Sequence, residues 1–63
     1  MKHGALISRL QDIAKRTGLS LDLVRHGGNH DLYRIGSVAR VVGRHREIPE
    51  QTARGTIRKA EQA

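Results

Sequence analysis

Two short breaks in the middle of this chain constrain its fold more than any other feature. His26-Gly27-Gly28-Asn29 and Gly36-Ser37 separate three runs rich in apolar and β-branched residues: Leu19 to Arg25, His30 to Ile35, and Val38 to Val42 ending at Gly43. Glycine and asparagine tolerate the positive φ of tight turns, and connections this short join consecutive strands as antiparallel hairpins. The spacing predicts a three-stranded antiparallel sheet. Alternation alone leaves open which face is buried, because Leu32-Tyr33 and Val41-Val42 place apolar groups on both sides.

The flanks have a different period. From Gly4 to Thr17, Leu6, Ile7, Leu10, Ile13 and Ala14 recur at the three-and-four spacing of one helical face, opposite Ser8, Arg9, Gln11, Asp12, Lys15 and Arg16. Gly18, just after two cations, suits a left-handed C-cap. After the polar Arg44-His45-Arg46-Glu47, the run Ile48-Pro49-Glu50 has the proline and acidic residue favoured at a helix start. A second helix is predicted from about Pro49 to the C-terminus. Its apolar face, Ala53, Ile57 and Ala60, is thin, and Gly55 costs it roughly 1 kcal/mol relative to alanine. The reading is a single α+β domain over residues 1–63, in the order α-β-β-β-α, with a three-stranded antiparallel sheet and both helices on one face.

A chain of 63 residues buries only about 60% of the surface its unfolded form exposes. There is no cysteine to staple it and no well-spaced set of soft metal ligands, which points to a partner or self-association as support. With no Trp or Phe, the core must be aliphatic, and Tyr33, the single aromatic, is read as part of it rather than as a base-stacking platform. No uninterrupted apolar stretch has signal-peptide or membrane-spanning length, so the expected location is the cytoplasm.

Twelve Lys and Arg against six Asp and Glu give a net charge of +6, and nine of the twelve cations are Arg, whose planar fork suits phosphate. A polyanion is the leading partner, although an acidic protein would also answer the charge. A membrane surface fits poorly, since the cations do not line one face of a strongly apolar helix. Against this background His30 stands out, directly after a glycine-rich turn at the start of a strand. Imidazole can take a proton from a ribose 2′-hydroxyl or return one to a leaving oxygen, and glycine-flanked turn amides can approach a phosphate. On residues alone His30 is equally readable as an ordinary strand histidine. His26, His30 and His45 do not have the spacing of a helical metal site, because Gly27 and Gly28 argue against a helix there; no metal or other cofactor is expected.

The order of elements matches the double-stranded-RNA-binding fold. Within it, three segments carry a closer likeness: Leu23-Val24-Arg25-His26-Gly27-Gly28-Asn29-His30-Asp31-Leu32-Tyr33, then Arg40-Val41-Val42-Gly43-Arg44-His45-Arg46-Glu47-Ile48, then Gln51-Thr52-Ala53-Arg54-Gly55-Thr56-Ile57. In order and spacing these resemble the HicA family of toxins, small mRNA interferases with a double-stranded-RNA-binding-like fold, over about two thirds of the chain. The family's Gly-Ser-His segment, which supplies its catalytic histidine, falls on Gly28-Asn29-His30. Three positions depart from the family pattern: Asn29 for Ser, Gly43 for Pro, and Gln51 for Gly.

The resemblance implies a type II toxin–antitoxin system, metal-independent cleavage of mRNA, His30 as the catalytic group, and a HicB-like antitoxin as protein partner, with homo-oligomers or toxin–antitoxin hetero-oligomers as assemblies. Cations near the reacting phosphate would stabilise its transition state. By topology Arg25, Arg44, His45 and Arg46 are nearest, because the turn and the basic loop lie at one end of the sheet; Gly28 and Asn29 line the turn, and Arg34 and Arg40 are placed to position the RNA backbone. The competing readings are a non-catalytic RNA-binding module of the same fold and a structural partner for an acidic protein.

Overall fold

The computed structural model describes all residues, 1–63. Helix α1 spans His3–Arg16, strands β1, β2 and β3 span Leu21–His26, His30–Ile35 and Val38–Gly43, and helix α2 spans Glu50–Ala60. The strands form one antiparallel sheet in the order β1-β2-β3, giving the α-β-β-β-α order expected from the sequence.

Helix α1 ends as Gly18 predicts. With φ +73° at Gly18, its N–H reaches the Lys15 carbonyl at 3.3 Å and the Leu19 N–H reaches that of Ala14 at 2.8 Å. This paired arrangement satisfies carbonyls that a helix end otherwise leaves open. It also moves the start of β1. Leu19 was expected to open the first strand, but its N–H belongs to the helix cap, and pairing begins only at Leu21. The β2–β3 hairpin keeps its two-residue loop, with Gly36 at φ +56° and Ile35 opposite Val38, as a turn with one left-handed central residue requires.

Burial settles the face that alternation left open. Asp31, Tyr33 and Ile35 on β2, with Val38, Arg40 and Val42 on β3, point to the helices and are buried or half-buried. Leu6, Leu10, Ile13 and Ala14 of α1 and Ala53 and Ala60 of α2 join Ile35, Val42 and Ile48 in one aliphatic cluster, with Tyr33 packed against it. Complete burial of a side chain such as Leu10 contributes about 1.5–3 kcal/mol. Both helices therefore cover one face of the sheet, and the other is bare. The thin face of α2 is widened by Thr56, 2% exposed, while Ile57 is only partly buried. Ile48, read as part of a helix start, is a core residue.

Ile48 is fixed there by the beginning of the chain. Its N–H donates to the Met1 carbonyl at 2.7 Å, its carbonyl accepts from the Met1 ammonium at 2.9 Å, and the His3 N–H donates to the Arg46 carbonyl at 3.2 Å. The Met1 ammonium also meets Glu47 at 2.9 Å and Glu50 at 3.5 Å. Pro49 sits just outside α2 at its N-cap, and its carbonyl accepts from Ala53 at 2.9 Å.

Candidate nucleic-acid interface and proton-transfer site

The bare face and the β1–β2 turn carry most of the residues singled out above. Alternation from Asp31 puts His30, Leu32 and Arg34 on the bare face, with Arg25 opposite Leu32 and Val41, and Gly43 opposite His30. An open groove of about 330 Å³ runs beside the turn, lined by Arg25, Gly28, Asn29, His30, Leu32 and Val41. His30 is exposed there.

The turn owes its shape to a close approach rather than to left-handed backbone. Gly27, Gly28 and Asn29 all have negative φ, so their tolerance of positive φ is not what this turn uses. The Gly27 N–H donates to the His30 carbonyl at 2.9 Å, and a Cβ on Gly27 would lie 2.6 Å from that carbonyl oxygen. Glycine at 27 is thus a steric requirement, whereas a Cβ at Gly28 would meet open space. Neither the Gly28 nor the Asn29 amide donates to another backbone group. Both amides are left without a protein acceptor, next in the chain to an exposed imidazole.

The basic loop after β3 folds back on this turn, as topology led us to expect. The Arg44 N–H donates to the Asn29 carbonyl at 2.9 Å, and its Nη2 donates to the Gly27 carbonyl at 2.6 Å. His45 follows, and its ring stands edge-on to that of His30 with 6.3 Å between centres and 87° between planes. Gly43 lies beneath both. A Cβ there would sit 3.0 Å from His45 Cδ2 and 3.6 Å from His30 Cδ2. Glycine at 43, where the resembled family has proline, leaves the gap between the two imidazoles open.

Behind the turn is a polar cluster that sequence reasoning missed. Leu23 pairs with Tyr33 but Arg25 pairs with Leu32, so β1 carries a one-residue bulge at Val24. The bulge reverses the alternation and swings His26 onto the helix-facing side, opposite Asp31. Asp31 is 5% exposed. His26 Nδ1 stands 3.0 Å from Asp31 Oδ1, and Arg44 Nε stands 3.8 Å from the same oxygen. The His26 contact does not meet hydrogen-bond geometry, so Oδ1 is buried without a hydrogen-bond partner despite the short separation. Arg44 Nη1 lies 2.6 Å from His26 Nε2, and because guanidinium only donates, this contact needs a neutral His26 with its lone pair on Nε2. Strict alternation would have placed His26 on the bare face, and a bulge has no mark in this sequence that distinguishes it from continuous strand.

The remaining candidates separate. Arg25, Arg34 and Arg46 are exposed, Arg34 on the bare face and about 13 Å along β2 from His30. Arg40, expected to position RNA with Arg34, is on the opposite face, half-buried against Tyr33 and with its Nε buried and unpartnered. It takes no part in this surface, because adjacent strands paired Arg34 with Ala39 put residue 40 on the helix side. His26, His30 and His45 do not converge with each other or with acidic groups into a donor set of three. Leu23, Val24 and Val41 are 50–59% exposed around the same end of the sheet. No helix is long and apolar enough to cross a membrane.

No family model matches this chain, and neither the curated proteins nor the solved structures searched contain a match.

Proposed function

We propose that this chain is a metal-independent endoribonuclease, the toxin of a type II toxin–antitoxin pair, in which His30 transfers a proton at the ribose 2′-hydroxyl and adjacent phosphate of mRNA. The observation that carries this reading is the position of His30. Its imidazole is exposed on the helix-free face, beside the free amides of Gly28 and Asn29 and against a basic loop folded back onto the turn. The Gly28 and Asn29 amides meet the phosphate, Arg44 braces the turn from behind through the Gly27 carbonyl and His26, and Arg25, Arg34 and Arg46 carry the flanking backbone. A positioned cation stabilises the charge that builds on phosphorus in the transition state more than it stabilises the ground state. The likeness of three segments to the HicA family supports the same assignment, as does the α-β-β-β-α order of double-stranded-RNA-binding domains.

A HicB-like antitoxin is the protein partner of this reading. Leu32 and Val41 supply apolar surface in the groove beside His30, and the arginines supply a basic rim, so a partner with an acidic, partly apolar surface covers the groove and the imidazole together. The compartment is the cytoplasm, where mRNA is translated.

The test is expression of the chain and of His30→Ala in a bacterial host lacking the partner. Growth arrest with loss of mRNA from the unaltered chain, and normal growth with His30→Ala at equal protein level, is expected. Equal growth of both would remove the toxin assignment.

A further inference from the structure

We propose that His45 is the second proton-transfer group of this site, the general acid that protonates the leaving 5′-oxygen while His30 removes the 2′-proton. This deepens the ribonuclease reading of His30 and rests on it. The argument begins with the pair itself. The two rings are 6.3 Å apart, edge to face, and do not hydrogen-bond each other. A Cβ on Gly43 would meet His45 Cδ2 and Nε2 on one side and His30 Cδ2 on the other, so it would occupy the space between the rings. That gap lies on the bare face of the sheet, open to solvent, at a separation that lets both rings reach one phosphodiester group.

The two histidines are not equivalent, and the groove distinguishes them. His30 lines the groove formed by Arg25, Asn29, Leu32 and Val41, whereas His45 stands outside it, in the loop between Arg44 and Arg46. A nucleotide seated in the groove has its ribose beside His30. The next nucleotide leaves across the basic loop, past His45. In the resulting step His30 accepts the 2′-hydroxyl proton as O2′ bonds to phosphorus. The bond from phosphorus to O5′ breaks, its electron pair remains on O5′, and that oxygen takes the proton of protonated His45. The products are a 2′,3′-cyclic phosphate and a 5′-hydroxyl; His30 ends protonated and His45 neutral, and exchange with water restores both. The reaction needs no further reactant. Arg44, tied to the Gly27 carbonyl and to His26, holds the loop that carries His45 against the turn that carries His30.

A leaving group that needs no acid tests the assignment. The substrates are two short oligoribonucleotides, identical except that one has sulfur in place of the bridging 5′-oxygen at a position the unaltered chain cleaves. On the oxygen substrate His45→Ala is expected to lose about 10²–10⁴-fold in single-turnover rate. On the sulfur substrate, whose thiolate departs unprotonated, it is expected to come within about tenfold of the unaltered chain. His45→Gln, which preserves a similar shape and polarity, is expected to follow the same pattern, and His30→Ala to stay slow on both substrates. Loss of rate by His45→Ala on both substrates, no loss on either, or rescue of His30→Ala in its place would overturn the role given to His45. Failure of the unaltered chain to cleave any RNA from which the oxygen substrate could be chosen would instead overturn the ribonuclease reading beneath it.

Discussion

Gly27 and Gly28 are adjacent and look alike in sequence, yet they answer to different physics. A methyl group at 27 would press on the His30 carbonyl at 2.6 Å, and one at 28 would touch nothing. Gly27→Ala should therefore cost about 1–3 kcal/mol, read as a loss of thermal stability at about 4–8 °C per kcal/mol in a domain of this size. Gly28→Ala should change stability by less than about 1 kcal/mol. Equal melting temperatures for the two variants would contradict the close approach. The same scale separates Asp31 from an ordinary strand aspartate. It is buried against His26 and Arg44, so Asp31→Ala should destabilise by about 1–3 kcal/mol and release Arg44 from the turn. His30 was visible in the sequence because it follows a glycine turn in a basic chain. Asp31 was not, since burial of a carboxylate depends on the bulge that brings His26 around to it.

The elements were legible wherever periodicity was strong. Five expected segments correspond to five observed ones: β2 has the expected bounds, α1 and β1 shift by one or two residues with Leu19 drawn into the α1 cap, Pro49 stays outside α2, and α2, expected to run to the C-terminus, ends at Ala60. What period could not show was which sheet face the helices would cover, and that decision separates Arg34 from Arg40. The helix-side residues carry the stability. Leu10→Ala, at a fully buried site on α1, should cost about 2–5 kcal/mol, enough to unfold much of so small a domain on modest heating. Val41→Thr, on the bare face, should leave the melting temperature within a few degrees. A large loss from the second substitution in the isolated chain would contradict the one-sided arrangement of layers.

At the scale of the whole molecule, the beginning of the chain is clasped to the start of α2. The Met1 ammonium is held above its ordinary value of 8.0, chiefly by its hydrogen bond to Glu47 and further by the charges of Glu47 and Glu50, against an opposing effect of burial. A group raised in the folded state contributes stability that is complete below its unfolded value and is lost as pH rises through the folded one. Thermal stability should accordingly decline as pH is taken above 8, and Glu47→Gln should flatten that decline; an unchanged slope in Glu47→Gln would remove Glu47 as its cause.

The charge of the molecule is also a whole-molecule property. If the arginines track an RNA backbone, the logarithm of the binding constant should fall linearly with the logarithm of salt concentration, with a slope of about −0.7 per phosphate contacted on single strands. Arg34→Ala should reduce that slope, and Arg40→Ala, on the covered face, should not. The direct test of the central claim is cleavage of purified RNA in the presence of a metal chelator by the unaltered chain and by His30→Ala, with circular dichroism confirming the same fold in both. Cleavage by the first and a loss of about 10²–10⁴-fold in the second is the expected result; undiminished cleavage by His30→Ala would contradict the account.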